Sequence, residues 1–380
     1  MGTRPKEVFL IIKKLRAGVV GLGFIGPQHM DAIRRIPQAE LAALCDPNSS
    51  ALNDACERYA IPKRYTDWHD LIADPGIDVI HNCTPHALHD LINRAAMLAG
   101  KHVYAEKPLS SSASAAREMV QLARRCGVAA GVNHQYRLNA AVQEMRARLQ
   151  KGMAGRPLML SGWYLQESAS RATDWNHKMD NTGIARTIND VGIHWVDTAC
   201  YVLGQPVAEV MADLHTHFPL RIGADGTQHV MNTEDTALIL LHFADGTPGQ
   251  FTASKAANGH KNDLQLNVWC DGYGMEWSQE IPDRLVIGRK ETGFETLYMN
   301  PRNCQPEVLP YVTTPMGHVM GWPEALRNAV QAFYASIADG SFHSGRVSYC
   351  TFEDGFHSMA FVEACIRSSE ERRWVEVEQL

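Results

Sequence analysis

The chain has 380 residues, 45% of them hydrophobic and 21% charged, with a formal net charge of −6. Such a length buries a large core and divides naturally into two domains, taken below as 1–150 and 151–380. The composition is that of an ordinary globular protein, and with no basic run or aromatic-basic stripe neither nucleic acid nor an anionic membrane is an expected partner.

An apolar run near the start, VFLII, spans five residues and meets Lys13 and Lys14 at once. It is too short for a signal-peptide core or a membrane span, so the chain is expected in the cytoplasm. Its nine cysteines fall singly, without a C-x-x-C pair. Free thiols are expected, with no disulfide framework and no metal site.

An apolar strand over 15–20 runs into Gly21, Gly23 and Gly26, spaced G-x-G-x-x-G, and a helix is predicted over 27–35. Gly21 suits a tight turn, Gly23 lets a pyrophosphate approach the backbone, and Gly26 lets the helix pack on the strand. Phe24 and Ile25 complete a loop whose N–H groups would meet the phosphates at the helix N-terminus. A second apolar strand, 41–45, ends at Asp46, twenty residues past Gly26. A carboxylate there accepts from both ribose hydroxyls and repels a 2′-phosphate, which selects NAD over NADP; equally, Asp46 and Pro47 open a turn.

Strands at 77–84, 101–106 and 127–134 then alternate with helices at 50–59, 87–99, 112–126 and 140–151, the pattern of a doubly wound parallel (Rossmann) sheet, an α/β fold. Ligands in that architecture bind past the C-terminal strand ends, where Asp46, Thr84, Pro85, His86, Glu106, Lys107, Asn133 and Gln135 collect. The second half reads differently. Strand-like runs at 158–166, 207–218, 236–243, 249–257 and 263–270 follow one another through turns such as Asp245-Gly246 and Asp271-Gly272. They predict an α+β domain with a large, mostly antiparallel sheet. Helices are expected at 191–203, 322–338 and 351–368, and a last strand at 374–377 would return to that sheet or to the first domain. The loops at 218–233 and 299–321 are long enough to be functional.

Two constellations carry chemistry. In AEKPL, Lys107 lies just past a strand end, with Pro108 preventing further pairing and Glu106 beside it. A lysine in a low-dielectric pocket loses its charge readily, which suits proton transfer or a hydrogen bond to a carbinol oxygen; the same residue also reads as a surface lysine at a turn. In NDVGIHWVD, Asp190 and His194 stand four apart, on one face of any helix that begins there. Neutral imidazole suits removal of a hydroxyl proton and the carboxylate suits orienting it; equally, Asp190 reads as an N-cap and His194 as a core histidine.

Taken together, the G-x-G-x-x-G loop, E-K-P about eighty residues later and D-x-x-x-H about eighty further make the chain resemble the family of glucose-fructose oxidoreductase, inositol 2-dehydrogenase and the rhizopine catabolism oxidoreductases. The resemblance covers nearly the whole chain. It implies a dinucleotide-binding domain followed by an α/β domain whose open sheet makes subunit contacts, hence a homodimer or homotetramer. It implies catalytic roles for Lys107, Asp190 and His194. Thr84, Pro85, His86 and His89 match the family's T-P-N-x-x-H near the cofactor, with His86 in place of the asparagine. TDWNH at 173–177 and GHVMGWPEA at 317–325 look like pocket segments of the sugar and inositol branch, which puts Trp175, Asn176, His318 and Trp322 forward as substrate contacts, each with a plain packing or loop alternative. TGIARTIND replaces a glycine-rich run before the aspartate. The implied reaction is NAD-dependent oxidation of a ring secondary hydroxyl on a sugar, sugar derivative or cyclitol. The alternatives are a redox-neutral NAD-dependent glycosidase, whose histidine signature is not found here, and a non-catalytic NAD-binding sugar sensor.

Overall fold

The computed structural model describes residues 14–170, 185–222 and 226–380. Six parallel strands form the first sheet: β1 (Leu15–Val20), β2 (Ala39–Cys45), β3 (Lys63–Tyr65), β4 (Val79–Asn82), β5 (His102–Ala105) and β6 (Ala130–Val132), in the order β3-β2-β1-β4-β5-β6. Its helices are α1 (Gly26–Arg34), α2 (Ser49–Tyr59), α3 (Trp68–Ala73), α4 (His89–Leu98), α5 (Ala113–Cys126) and α6 (Ala140–Gln150). The strands are short and apolar because both faces are covered; β4 is buried at every residue. Register aligns their ends: Val20 pairs with Cys45 and Asn82, Asn82 with Ala105, and Ala105 with Val132. The glycine loop, Asp46, Thr84, Glu106-Lys107 and Asn133-Gln135 therefore emerge side by side from one edge.

The second sheet has nine strands. They are β7 (Pro157–Leu165), β8 (Val207–His215), β11 (Thr236–Phe243), β12 (Pro248–Ser254), β13 (Asp263–Cys270), β14 (Gly274–Ser278), β15 (Arg284–Arg289), β16 (Gly293–Tyr298) and β17 (Val375–Glu376), while β9 (Leu220–Ile222) and β10 (Gln228–Val230) form a separate hairpin. The order is β16-β15-β14-β13-β7-β12-β11-β8-β17, antiparallel except for β12 beside β7. One face packs on α7 (Ile193–Leu203) and α9 (Phe352–Glu371), with Trp195 stacked 4.5 Å from Phe251. The other leaves Leu238, Leu240, Phe294 and Tyr298 exposed.

Two features differ from the sequence reading, and one choice it left open is decided. Strands β3 and β14 to β16 and helix α3 were not expected: β3 has three residues, none of them buried, and β16 has no buried residue to give an apolar alternation. The 218–233 loop contains the β9–β10 hairpin. The last strand returns to the second sheet, pairing Val375 with Val210, and not to the first domain. Helix α8 (Trp322–Asp339) leaves the second sheet and packs on α1 of the first domain, with Arg35 bonded to Glu324 at 3.0 Å. No helix among the described residues is long and apolar enough to cross a membrane.

Candidate functional site

The glycine loop is closed toward the protein and open away from it. Gly21 has φ +92°, and a Cβ there would lie 2.6 Å from the Cys83 carbonyl oxygen; at Gly26 it would lie 2.2 Å from that of Gly21, whereas at Gly23 it would meet nothing within 4 Å. Phe24 is exposed beyond Gly23, and Ile25 precedes α1 without a side-chain cap. Asp46 accepts from the Leu22 N–H at 2.8 Å and the Asn48 N–H at 2.9 Å, which fixes its carboxylate beside the loop. Open backbone at a helix start with a carboxylate at the next strand end fits the diphosphate and ribose of a dinucleotide.

The neighbouring turns are tied together by histidine. His89, buried at the start of α4, places Nδ1 2.7 Å from the Pro108 carbonyl and Nε2 2.9 Å from that of Thr84, and burial holds its pKa below the ordinary value. Thr84 itself donates to Asn82 at 2.6 Å, Pro85 leads into the short turn His86–Leu88, and His86 Nε2 is 2.9 Å from the Ser110 carbonyl. Gln135 is buried; with its amide turned to satisfy both neighbours it donates to the Asn133 carbonyl at 3.1 Å and accepts from the Trp322 indole N–H at 2.5 Å.

Lys107 and Asp190 meet. Lys107 Nζ donates to Asp190 Oδ1 at 2.7 Å and to the Asp190 carbonyl at 2.9 Å. The other carboxylate oxygen accepts from Lys255, a fully buried lysine that follows β12. Burial works against the Lys107 ammonium, but Asp190 and Glu106 outweigh it and raise its pKa. The expectation that this lysine would lose its charge readily is therefore reversed. Glu106 accepts from Asn133 at 2.6 Å and from the Lys107 N–H at 3.1 Å, and lies 3.0 Å from His29 Nε2 on α1. Burial pushes its pKa up, yet His29 and Lys107 prevail and lower it. His29 continues to His81 at 2.9 Å, and His81 to the Tyr334 hydroxyl at 2.9 Å.

Asp190 does not cap a helix. It lies within a π-helical turn, Ile188–Gly192, that runs directly into α7, so Asp190 and His194 are carried on one continuous helical segment. His194 Nδ1 is 3.3 Å from His134 Nδ1, the rings meeting edge to face with centroids 5.0 Å apart. Tyr136 also stands edge-on to His194, 5.1 Å between centroids, its hydroxyl 3.0 Å from that of Tyr164. Asn262 bonds both tyrosines. His134, Asp197 and Cys350 hold donor atoms within 4.8 Å of one another, but Arg137 occupies the Asp197 carboxylate, through Nε at 2.9 Å and through Nη2, and leaves no net charge for a cation.

Thus Lys107 and Asp190 meet and His194 follows one turn along the same helical segment, while the cofactor-side residues gather at the strand ends. His318 is exposed, its ring 3.3 Å from the Pro315 carbonyl, and Trp322 starts α8 beside Gln135; neither has a described contact with Lys107, Asp190 or His194. Trp175 and Asn176 lie outside the described residues. Sequence reasoning missed Lys255, His134, Tyr136, Tyr164 and Asn262. Three of these carried a signal: Lys255 closes the apolar run GQFTAS, and His134 and Tyr136 follow a strand end whose other polar residues were noticed.

Comparison with known proteins adds to this geometry. Residues 15–134 match the family model described as "Oxidoreductase family, NAD-binding Rossmann fold", and residues 142–274 that of the "GFO/IDH/MocA C-terminal domain". Levoglucosan dehydrogenase of Pseudarthrobacter phenanthrenivorans is 26% identical over 97% of this chain and 100% of its own length. Myo-inositol 2-dehydrogenase of Thermotoga maritima is 29% identical over 73% of this chain and 79% of its own. Among solved structures, an NAD-binding oxidoreductase from Klebsiella pneumoniae superposes with a TM-score of 0.87 at 27% identity, covering 97% of this chain and 100% of its own. A levoglucosan dehydrogenase complex with NADH and L-sorbose gives 0.88 at 24%, with the same coverage of both chains.

Proposed function

The chain belongs to the GFO/IDH/MocA oxidoreductase family, and from that premise we propose that it is an NAD-dependent dehydrogenase oxidising a ring secondary hydroxyl of a sugar, sugar derivative or cyclitol to the ketone. The observation that carries this reading is the Lys107–Asp190 ion pair beside the glycine-loop edge of the first sheet, with His194 one helical turn on from Asp190. Bound NAD supplies the hydride acceptor. His194 takes the hydroxyl proton. Lys107, held as an ammonium, donates a hydrogen bond to the substrate oxygen and stabilises the negative charge that develops there. Asp190 keeps Lys107 charged and in place and, one turn away on the same helical segment, orients the imidazole of His194. Asp46 favours NAD over its 2′-phosphorylated form.

Residues 1–150 form the cofactor domain in this reading and 151–380 the substrate and assembly domain. The exposed apolar residues of the nine-stranded face support a homodimer or homotetramer; a solution mass near 42.2 kDa would exclude it. All nine cysteines are unpaired, which suits the cytoplasm, and cell fractionation checks that placement. The deciding experiment is absorbance at the NADH band with purified protein, NAD or NADP, and a panel of inositols, free sugars, anhydrosugars and glycosides. Reduction of NAD by one compound class is the expected result. Tight NAD binding without turnover would overturn the dehydrogenase in favour of a sensor, and glycoside cleavage without net NADH would overturn it in favour of a redox-neutral glycosidase.

A further inference from the structure

Oxidising an alcohol releases a proton together with the hydride, and a base enclosed with its substrate has to hand that proton on. In the reading above, on which this inference rests, the base is His194. We propose that His134 is the onward proton acceptor of His194, and that the pair carries the alcohol proton past α7 to an open cleft away from the glycine loop.

Four observations place this path. His134 follows β6 directly, is 1% exposed, and sets Nδ1 3.3 Å from Nδ1 of His194. Two imidazole nitrogens facing each other share one proton, since one must donate and the other accept. Second, His134 Nε2 is buried without a hydrogen-bond partner among the described residues. A packed histidine with no further task would satisfy that atom. Third, Asp197, one turn after His194 on α7, and Cys350 hold their donor atoms within 4.8 Å of His134's, a gap that one bridging water spans. Fourth, Asp197 and Arg137 line a cleft of about 760 Å³ whose walls include parts of α5, α7 and α9 and the segment 342–353, and Arg137 Nη1 reaches Asp354 at 3.2 Å on its rim.

The transfer balances. In the base-ready form His194 carries its proton on Nδ1 and His134 carries its own on Nε2. His194 Nε2 takes the substrate hydroxyl proton, His194 Nδ1 passes its proton to His134 Nδ1, and His134 Nε2 releases one toward Asp197 and the cleft. Bonds to hydrogen made and broken are equal in number, and one proton leaves the site. The product form then has a bare lone pair at His134 Nε2, which costs less when unpartnered than a buried N–H. The pair resets by tautomerisation once product has gone. Charged and titratable neighbours facing His134 are His194 and Asp197 on α7, Arg137 on its own segment, Lys107 and Glu106 from the turn after β5, and Cys350. Burial dominates among them and keeps His134 below the ordinary histidine pKa, so it is neutral and able to accept.

The test uses the full chain with NAD and the best alcohol from the panel. His134→Asn keeps a polar group to bond His194 but has no second nitrogen; His134→Ala opens space for imidazole from solution. Both should bind NADH as the parent does, with KM within about threefold, while kcat falls roughly tenfold or more. Imidazole should restore the alanine variant, and the solvent deuterium isotope effect on kcat should grow in the asparagine variant. Unchanged kcat in both, or a loss with neither rescue nor isotope change, overturns the relay and leaves His134 a packing residue. Should both variants fail to fold, nitrogen-15 histidine spectra of the parent decide: one Nδ1 protonated and one bare supports the shared proton, both protonated overturns it. A parent that oxidises no alcohol removes the dehydrogenase reading itself, whereas an active parent with indifferent variants removes only the relay.

Discussion

Asp190 stands between two lysines, and together with Glu106 it outweighs burial and raises the pKa of Lys107. A lysine pKa raised above its ordinary 10.5 means the group is an ammonium throughout the neutral range and loses its proton only above its raised value. Lys107→Met should therefore lower kcat/KM by about 10² or more, uniformly from about pH 6 to about pH 9, because what is lost is a fixed charge and hydrogen-bond donor and not a titrating base. Steady-state rates across that range check it. A variant within a few-fold of the parent, or one impaired only at the alkaline end, would show that Lys107 does something else. For Lys107, Asp190 and His194 residue type and local context left a plain alternative beside the catalytic one, and only the three motifs taken together, as a family resemblance, put them forward. Lys255 and His134 were missed although each follows a strand: their partners lie 65 and 60 residues away, and a strand end does not say which distant residue it meets.

At the scale of elements, the glycine loop was readable because each glycine answers a separate local demand, and these demands separate binding from folding. A side chain at Gly21 or Gly26 collides with backbone, so substitution there would damage the fold as well as the site. Gly23 is different, with nothing within 4 Å of its would-be Cβ. Gly23→Val should leave the urea midpoint nearly unchanged, within about 1 kcal/mol, yet weaken NADH binding at least tenfold by filling the space proposed for the pyrophosphate. Fluorescence titration beside urea unfolding separates the two, and retained NADH affinity would place the phosphates elsewhere. The π turn at Ile188–Gly192 was illegible for a complementary reason. One i to i−5 hydrogen bond, from Ile193 to Ile188, replaces the usual spacing without altering the apolar pattern around it.

At the scale of the molecule, the two sheets are separate but the chain does not simply leave the first for the second. Helix α8 returns to α1, and α9 lies between α5 and β8, while Val132 at the end of β6 donates to the Cys350 carbonyl at 2.8 Å. The alternation of strands and helices revealed both sheets; it said nothing of this return, because a helix pattern records which face is apolar and not which domain covers it. The interior so formed encloses histidines. His81, His89, His102, His134 and His357 all have pKa values pulled below the ordinary 6.5, in each case chiefly by burial. In the unfolded chain they protonate near 6.5, so below that pH the unfolded state binds more protons than the folded one and gains relative stability. Their contribution is complete above about pH 6.5 and is lost as pH falls toward the depressed folded values, at up to about 1.4 kcal/mol per pH unit for each histidine. The depressed carboxylates act later: Asp74, lowered to about 2 by Lys63, loses its contribution only as pH falls through the range from 3.8 toward that value. The urea midpoint should hence fall steadily between about pH 7 and about pH 5, well before depressed carboxylates such as Asp74 titrate, and His102→Gln should make that fall shallower. A midpoint that stays level down to pH 5 would mean that these imidazoles take up protons in the folded protein, and the neutral state argued for His134 would be wrong.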